Sequence, residues 1–269
     1  MVGFGHLALN PSIPTADSGQ TTSACPPGQA ASLPPGDDAV KLVAIDTSLP
    51  SGSVAACEGD RLAEVMFAPA QAHARRIAAA LAEATARLGW TIAAADAVAV
   101  IRGPGSFTGL RVGIAAAKGI AWAGGKRLVG ISGFDVIAAI GGGREPVHVV
   151  FDAGRGELFA ATVHPAPDTP TGWRTDGGIL VPIDRWVADL PPGARLSGPG
   201  LDLEPVEALV AARGDLQPAP LGSRHPSAAA AARIGLCLAA SGSTQAPAEI
   251  TPDYLRPSYA QENRIGPSR

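Results

Sequence analysis

The chain has 269 residues, of which 46% are hydrophobic and 4% aromatic, with a formal net charge of −3. That is enough apolar content for one large or two ordinary cores, built mainly from Ala, Val, Ile and Leu, and too acidic a balance for a broad surface that wraps a phosphate backbone. Cys25, Cys57 and Cys237 form no CxxC pair, which excludes a disulfide framework or zinc ribbon and fits a reducing, cytoplasmic setting; without a basic-then-apolar leader or an apolar run of about 18 residues, neither a signal peptide nor a membrane span is expected.

Residues 1–40 are rich in Pro, Ser, Thr, Gly and Ala, lack Lys and Arg, and show no periodicity. They are expected to form a disordered extension. The ordered signal begins with KLVAIDTSLPSGSVAAC, where an apolar run ends at Asp46, a Ser/Pro/Gly turn follows and a second apolar run returns: a strand, a turn and a returning strand. A helix is predicted over residues 73–88, a strand over 97–101 and a second helix over 109–123. The apolar run from Val147 to Asp152, its Gly-rich turn and a strand over 158–163 then repeat the opening layout. Residues 165–178 read as turns, 194–197 as a short strand, 227–240 as an Ala-rich helix, and the tail after Pro252 as irregular. The alternation predicts an α/β fold, and the repeated hairpin predicts two related lobes, 41–142 and 143–250, followed by a tail over 251–269.

The segment GPGSFTGLRVGIAAAKGIA, residues 103–121, follows a predicted strand and opens a helix. A Gly-rich turn there aims backbone N–H groups outward at the positive end of a helix dipole, which makes Gly103, Gly105, Ser106 and Thr108, with Asp46, candidate nucleotide or phosphate contacts. The segment lacks the Lys of a P-loop and the GxGxxG spacing, so a tight structural turn is the competing reading. Thr108 is placed to cap the helix. Ser106 sits in PGSFT, which does not match the GxSxG of a nucleophile elbow. Arg111 in the first turn opposes the macrodipole and so points either to a partner or to a salt bridge within the domain.

Gly109, Gly113, Ala117 and Ala121 recur every four residues, flanked by Leu110 and Ile114, and make a ridge that another helix can approach closely. Ile77, Leu81, Ala84 and Leu88 make a narrow seam on the preceding helix. Both stripes could dock a partner or cover the sheet of their own lobe. The histidines, at 6, 73, 148, 164 and 225, include no i, i+3 or i+4 pair, so no metal site is visible. Asp46 and Asp152, at matching strand ends, could hold magnesium between lobes or cap their own turns.

Taken in order, AIDTSLPSGSVAAC, GPGSFTGLRVGIAAAKGIA, DAGRGELF and PDYLR resemble the bacterial TsaB family, also called YeaZ, over residues 41 to about 256. The resemblance implies a duplicated two-lobe fold of the actin and sugar-kinase type. It implies a non-catalytic subunit of the tRNA threonylcarbamoyladenosine synthase, forming a heterodimer with the catalytic subunit TsaD and working with the ATPase TsaE on the adenosine beside the anticodon. Further expectations are a homodimer in isolation, tRNA contacted only through the complex, no tightly bound cofactor, and ATP or ADP as the candidate ligand at the complex interface. The interface is expected on the first lobe's helices, at Ile77, Leu81, Leu88, Gly109, Leu110, Arg111, Gly113, Ile114 and Ala117. Alternatives are an independent actin-like ATPase or kinase, a glycoprotease-like metallopeptidase, and a homodimeric scaffold.

Overall fold

The computed structural model describes residues 39–67 and 73–256, so the extension expected over residues 1–40 lies, but for its last two residues, outside the described residues. Strands β1 (Lys41–Asp46), β2 (Gly52–Glu58) and β3 (Arg61–Phe67) form an antiparallel meander. Helix α1 (His73–Arg87) leads to β4 (Ala97–Gly103), and α2 (Phe107–Gly124) leads to β5 (Arg127–Ser132); both of these strands join in parallel. Helix α3 (Gly133–Gly141) closes the unit. The chain then runs through the same plan again, with β6 (Val147–Gly154), β7 (Glu157–Pro165), β8 (Trp173–Pro182), α4 (Ile183–Asp189), β9 (Arg195–Ser197), α5 (Glu204–Ala212), β10 (Gln217–Pro218) and α6 (Ala228–Ala240).

The sheet orders are β3-β2-β1-β4-β5 and β10-β9-β6-β7-β8. Read from the last strand of the second, these are one order, with antiparallel and parallel pairings in the same places. The duplication predicted from the repeated hairpin is therefore a repeat of three strands, helix, strand, helix, strand, helix.

Alternation along β1 explains the layering. Val43 and Ile45 face a core shared with Ile77, Leu81, Leu88 and Ile114 of the α1 and α2 layer, whereas Leu42 and Ala44 face Ala231, Ile234 and Leu236 of α6. Both faces of this sheet are covered by helices, so its central strands read as nearly unbroken apolar runs. Helix α6, placed by sequence within the second lobe (143–250), in fact packs on the first sheet. Its Ala run fits because Gly235 brings the helix against Ala99 and Leu42: a Cβ there would lie 2.9 Å from the Ala99 Cβ. Helix α3 lies between the sheets, with Val136 in the core under α6 and Phe134 and Ile137 in the core of the second sheet. Phe134 meets Phe151 of β6 edge-on at 5.5 Å, one of the contacts that bind the lobes together.

Two local readings need correction. Residues 165–178, read as turns, include the first half of β8; its TDGG stretch lies on an edge strand with Asp176 and Gly177 exposed and Thr175 and Gly178 half-buried, so no apolar alternation marks it. Helix α2 begins at Phe107, so Ser106 rather than Thr108 is its N-cap, its Oγ accepting from the Gly109 N–H at 3.2 Å.

Candidate functional site

The site region is built where the end of β1 meets the start of α2. Asp46 is 2% exposed, and its Oδ1 accepts from the Ser48 N–H at 2.9 Å and the Ser48 hydroxyl at 2.7 Å. Burial pushes its carboxyl up to about 6, against the opposing pull of the Ser48 hydrogen bonds, because a charge in an apolar surrounding loses its hydration. Asp46 thus caps its own turn, one of the two readings its sequence position allowed.

The glycines of the 103–113 segment fit the chain against that turn. The Thr47 hydroxyl donates to the Gly109 carbonyl at 2.8 Å, and the Ser106 N–H donates to the Ser48 carbonyl at 2.7 Å. A Cβ at Gly109 would lie 2.1 Å from the Thr47 carbonyl oxygen, and one at Gly113 would lie 2.2 Å from the Thr47 hydroxyl. Gly105, at φ +152°, would bring a Cβ within 2.3 Å of the Ser48 carbonyl oxygen. At Gly105 and Gly109 backbone stands where a side chain would be, and at Gly113 the Thr47 hydroxyl does. Of the candidate phosphate contacts, Asp46 and Gly105 pack in this turn, Gly103 lies against Asp253 and Leu110, and Ser106 caps the helix; Gly105 and Ser106 also line the cleft between the lobes. Thr108 stands exposed on the helix.

The expected interface residues are also turned inward. Ile77, Leu81, Leu88, Gly109, Leu110, Gly113, Ile114 and Ala117 are all buried, and only Arg111 is exposed. The seam and the ridge close on the lobe's own sheet, which is the alternative that spacing alone left open. Sequence reasoning missed the other side of the same helices. There α1 exposes Ala78, Ala82 and Ala86, and α2 exposes Ala115, Gly119 and Trp122. Arg75, Glu83 and Arg87 of α1 are exposed beside these alanines; Trp122 is 83% exposed, and a Trp near the end of an Ala- and Gly-rich helix was the available signal.

Between the lobes lies a cleft of about 450 Å³, lined among others by Ser106, Phe107 and Leu110 from the first lobe and Asp152 and Phe159 from the second. Asp152 accepts from the Gly154 N–H at 2.6 Å, so it too caps its own turn. Asp46 does not line this cleft. The tail motif PDYLR crosses the opening. Arg111, rather than pairing with an acid, lies over the Phe107 ring at 3.9 Å and donates from Nε to the Tyr254 hydroxyl at 2.7 Å. Among the described residues no group of three or more His, Cys, Asp or Glu side chains could hold a metal ion, and no helix is long and apolar enough to cross a membrane.

Comparison with known proteins gives this arrangement a family. The model of the family described as TsaD, tRNA N6-adenosine threonylcarbamoyltransferase, matches residues 67–167. An uncharacterized protein of Mycobacterium tuberculosis is 35% identical over 220 residues, 80% of this chain and 91% of its own length. The tRNA threonylcarbamoyladenosine biosynthesis protein TsaB of Haemophilus influenzae is 35% identical over 97 residues, covering 36% of this chain and 41% of that protein. The solved structure of YeaZ from Pseudomonas aeruginosa superposes with a TM-score of 0.65 at 23% identity, over 80% of this chain and all of the other, and shares its actin-like two-lobe fold. With its duplicated sheets, its Gly-lined α2 and these relatives, the chain belongs to the TsaB (YeaZ) family.

Proposed function

We propose that this chain is a non-catalytic subunit in the synthesis of tRNA threonylcarbamoyladenosine, and that it docks a TsaD-type catalytic partner through the outer face of α1 and α2. The observation that carries the reading is that outer face itself. Both helices lie on one side of the first sheet and contact each other, so their outward sides form a single surface. Its exposed residues Ala78, Ala82, Ala86, Ala115 and Gly119 let a partner's helices come close, much as small residues do inside a protein. Trp122 supplies a large anchor of the kind that dominates binding energy at interfaces, and Arg111 a charged rim.

The inward residues serve the same end indirectly. Gly109 and Gly113 seat α2 on Thr47, and Leu81 and Ile114 fix both helices to the sheet, so the docking surface is presented rigidly and little ordering is needed on binding. The names carried by the Haemophilus relative and by the matching family model support the choice of pathway. The absence of a P-loop Lys and of a paired-His motif from the sequence supports an accessory rather than a chemical role.

The test is the modified-nucleoside content of tRNA. Removing this chain from its native cell should deplete threonylcarbamoyladenosine in hydrolysed tRNA measured by mass spectrometry, and resupplying the wild-type chain should restore it. Unchanged modification after removal would sink the proposal.

A further inference from the structure

The four residues Asp253–Arg256 touch both lobes in succession, and they do so across the mouth of the cleft. On the first lobe, the Asp253 N–H donates to the Arg102 carbonyl at 2.9 Å and its carboxylate pairs with the Arg102 guanidinium at 3.3 Å. The Tyr254 ring stacks on Phe107 with centroids 4.9 Å apart, while its hydroxyl accepts from Arg111. The next two residues belong to the other side. Leu255 packs into the second-lobe core so closely that a Cβ at Gly178 would lie 2.7 Å from its Cδ1. Arg256 donates to the Ala153 carbonyl at 2.9 Å and pairs with Glu157.

A segment that merely trailed over the surface would be held by one neighbour or none. Here the first two of four consecutive residues are held by one lobe and the next two by the other, through ion pairs, ring stacking and apolar packing, and all four line the cleft whose walls they join. We propose that residues 253–256 are a latch holding the two lobes closed over the cleft, whose release opens the cleft and frees the first turn of α2. Phe107 and Arg111 are both on α2, so the latch ties the state of the cleft to the edge of the helix that carries the outer face. The latch does not rest on the proposed partner and is tested in the isolated chain.

The experiment is hydrogen exchange by mass spectrometry on the full chain, with small-angle scattering, comparing wild type with the double variant Tyr254→Ala, Arg256→Ala. A latch predicts that amide exchange rises on the order of tenfold in both walls, residues 103–110 and 152–159, while the β1 and β6 interiors keep their protection, and that the radius of gyration increases. A rise confined to residues 252–256, or to one wall alone, with an unchanged radius of gyration would overturn the proposal and leave the tail a passive cover. Should the double variant fail to fold, Tyr254→Phe decides. It keeps the ring stack and removes the hydroxyl that Arg111 holds, so a smaller rise at both walls supports the latch and no change at either contradicts it.

Discussion

The two lobes share a strand order and every strand direction, yet they are clothed differently. In the first, β1 is buried along all but its first residue, and α1, α2 and α6 run 15, 18 and 13 residues. In the second, β9 and β10 shrink to 3 and 2 residues, α4 and α5 to 7 and 9, and β8 leaves half its length exposed. The contrast shows how an exposed helical face arises from packing. A sheet buried on both faces needs long helices, and a long helix that seals a core with one side has another side left over. In the first lobe the glycines of the inward side set how tightly α2 seats, and the alanines of the outward side set what can approach it.

Leu81→Ala should give the largest effect, because it empties a fully buried position between α1 and the first sheet; a loss of about 2 to 5 kcal/mol is expected from urea denaturation. Ile179→Ala on β8, where the side chain is 56% exposed, should cost within about 0.5 kcal/mol. Equal losses would mean that the lobes do not differ as described.

Gly113→Arg comes next, at about 3 kcal/mol, since its side chain would have to displace the Thr47 hydroxyl beneath α2. A second-lobe glycine for comparison is Gly177 of β8, where a Cβ would meet nothing within 4 Å; Gly177→Ala should change a thermal melt little.

Asp46 sharpens the contrast through pH. Its folded-state carboxyl sits at about 6 against an ordinary 3.8, so between those values the native state holds a proton that the unfolded chain has lost. That contribution is full below about pH 4, declines as pH rises through the window and is gone above about pH 6, a change of about 2 to 3 kcal/mol. The wild type should therefore lose stability relative to Asp46→Asn as pH is raised from 4 to 7. Parallel stability curves for the two proteins would show that Asp46 is not buried as described. The smallest effect belongs to Trp122→Ala, which should leave the melting temperature unchanged because the indole touches mainly solvent.

The legible parts of the sequence were those where one face decides the pattern. KLVAID and GSVAAC announce strands because both their faces are buried and leave short unbroken apolar runs between turn residues, and residues 73–88 announce a helix because one side buries a regular stripe. The duplication was visible in the paired hairpins at Asp46 and Asp152. Spacing could not say which surface the Gly109–Gly113–Ala117 ridge meets, since its neighbour Thr47 lies far back in the chain and equal spacing serves a sheet or a partner alike. Edge strand β8 was hidden by its polar, Gly-bearing TDGG stretch, and α6 looked like second-lobe sequence because nothing local records which sheet an Ala-rich helix will choose. The motif PDYLR was recognisable as a motif, but its contacts reach residues 102, 107, 111, 153 and 157, and no periodicity encodes that.

On the proposed function, the outward side of α1 and α2 receives a TsaD-type partner. The most direct measurement mixes this chain with the TsaD homologue of its own organism and reads the mass of the complex by light scattering, for wild type and for Ala115→Arg, an exposed position whose new side chain can reach solvent in the free protein. A heterodimer with the wild type, and its loss with an Ala115→Arg variant of unchanged melting temperature, is the expected result. A wild-type chain that pairs only with itself, or an Ala115→Arg variant that binds TsaD as the wild type does, would contradict it.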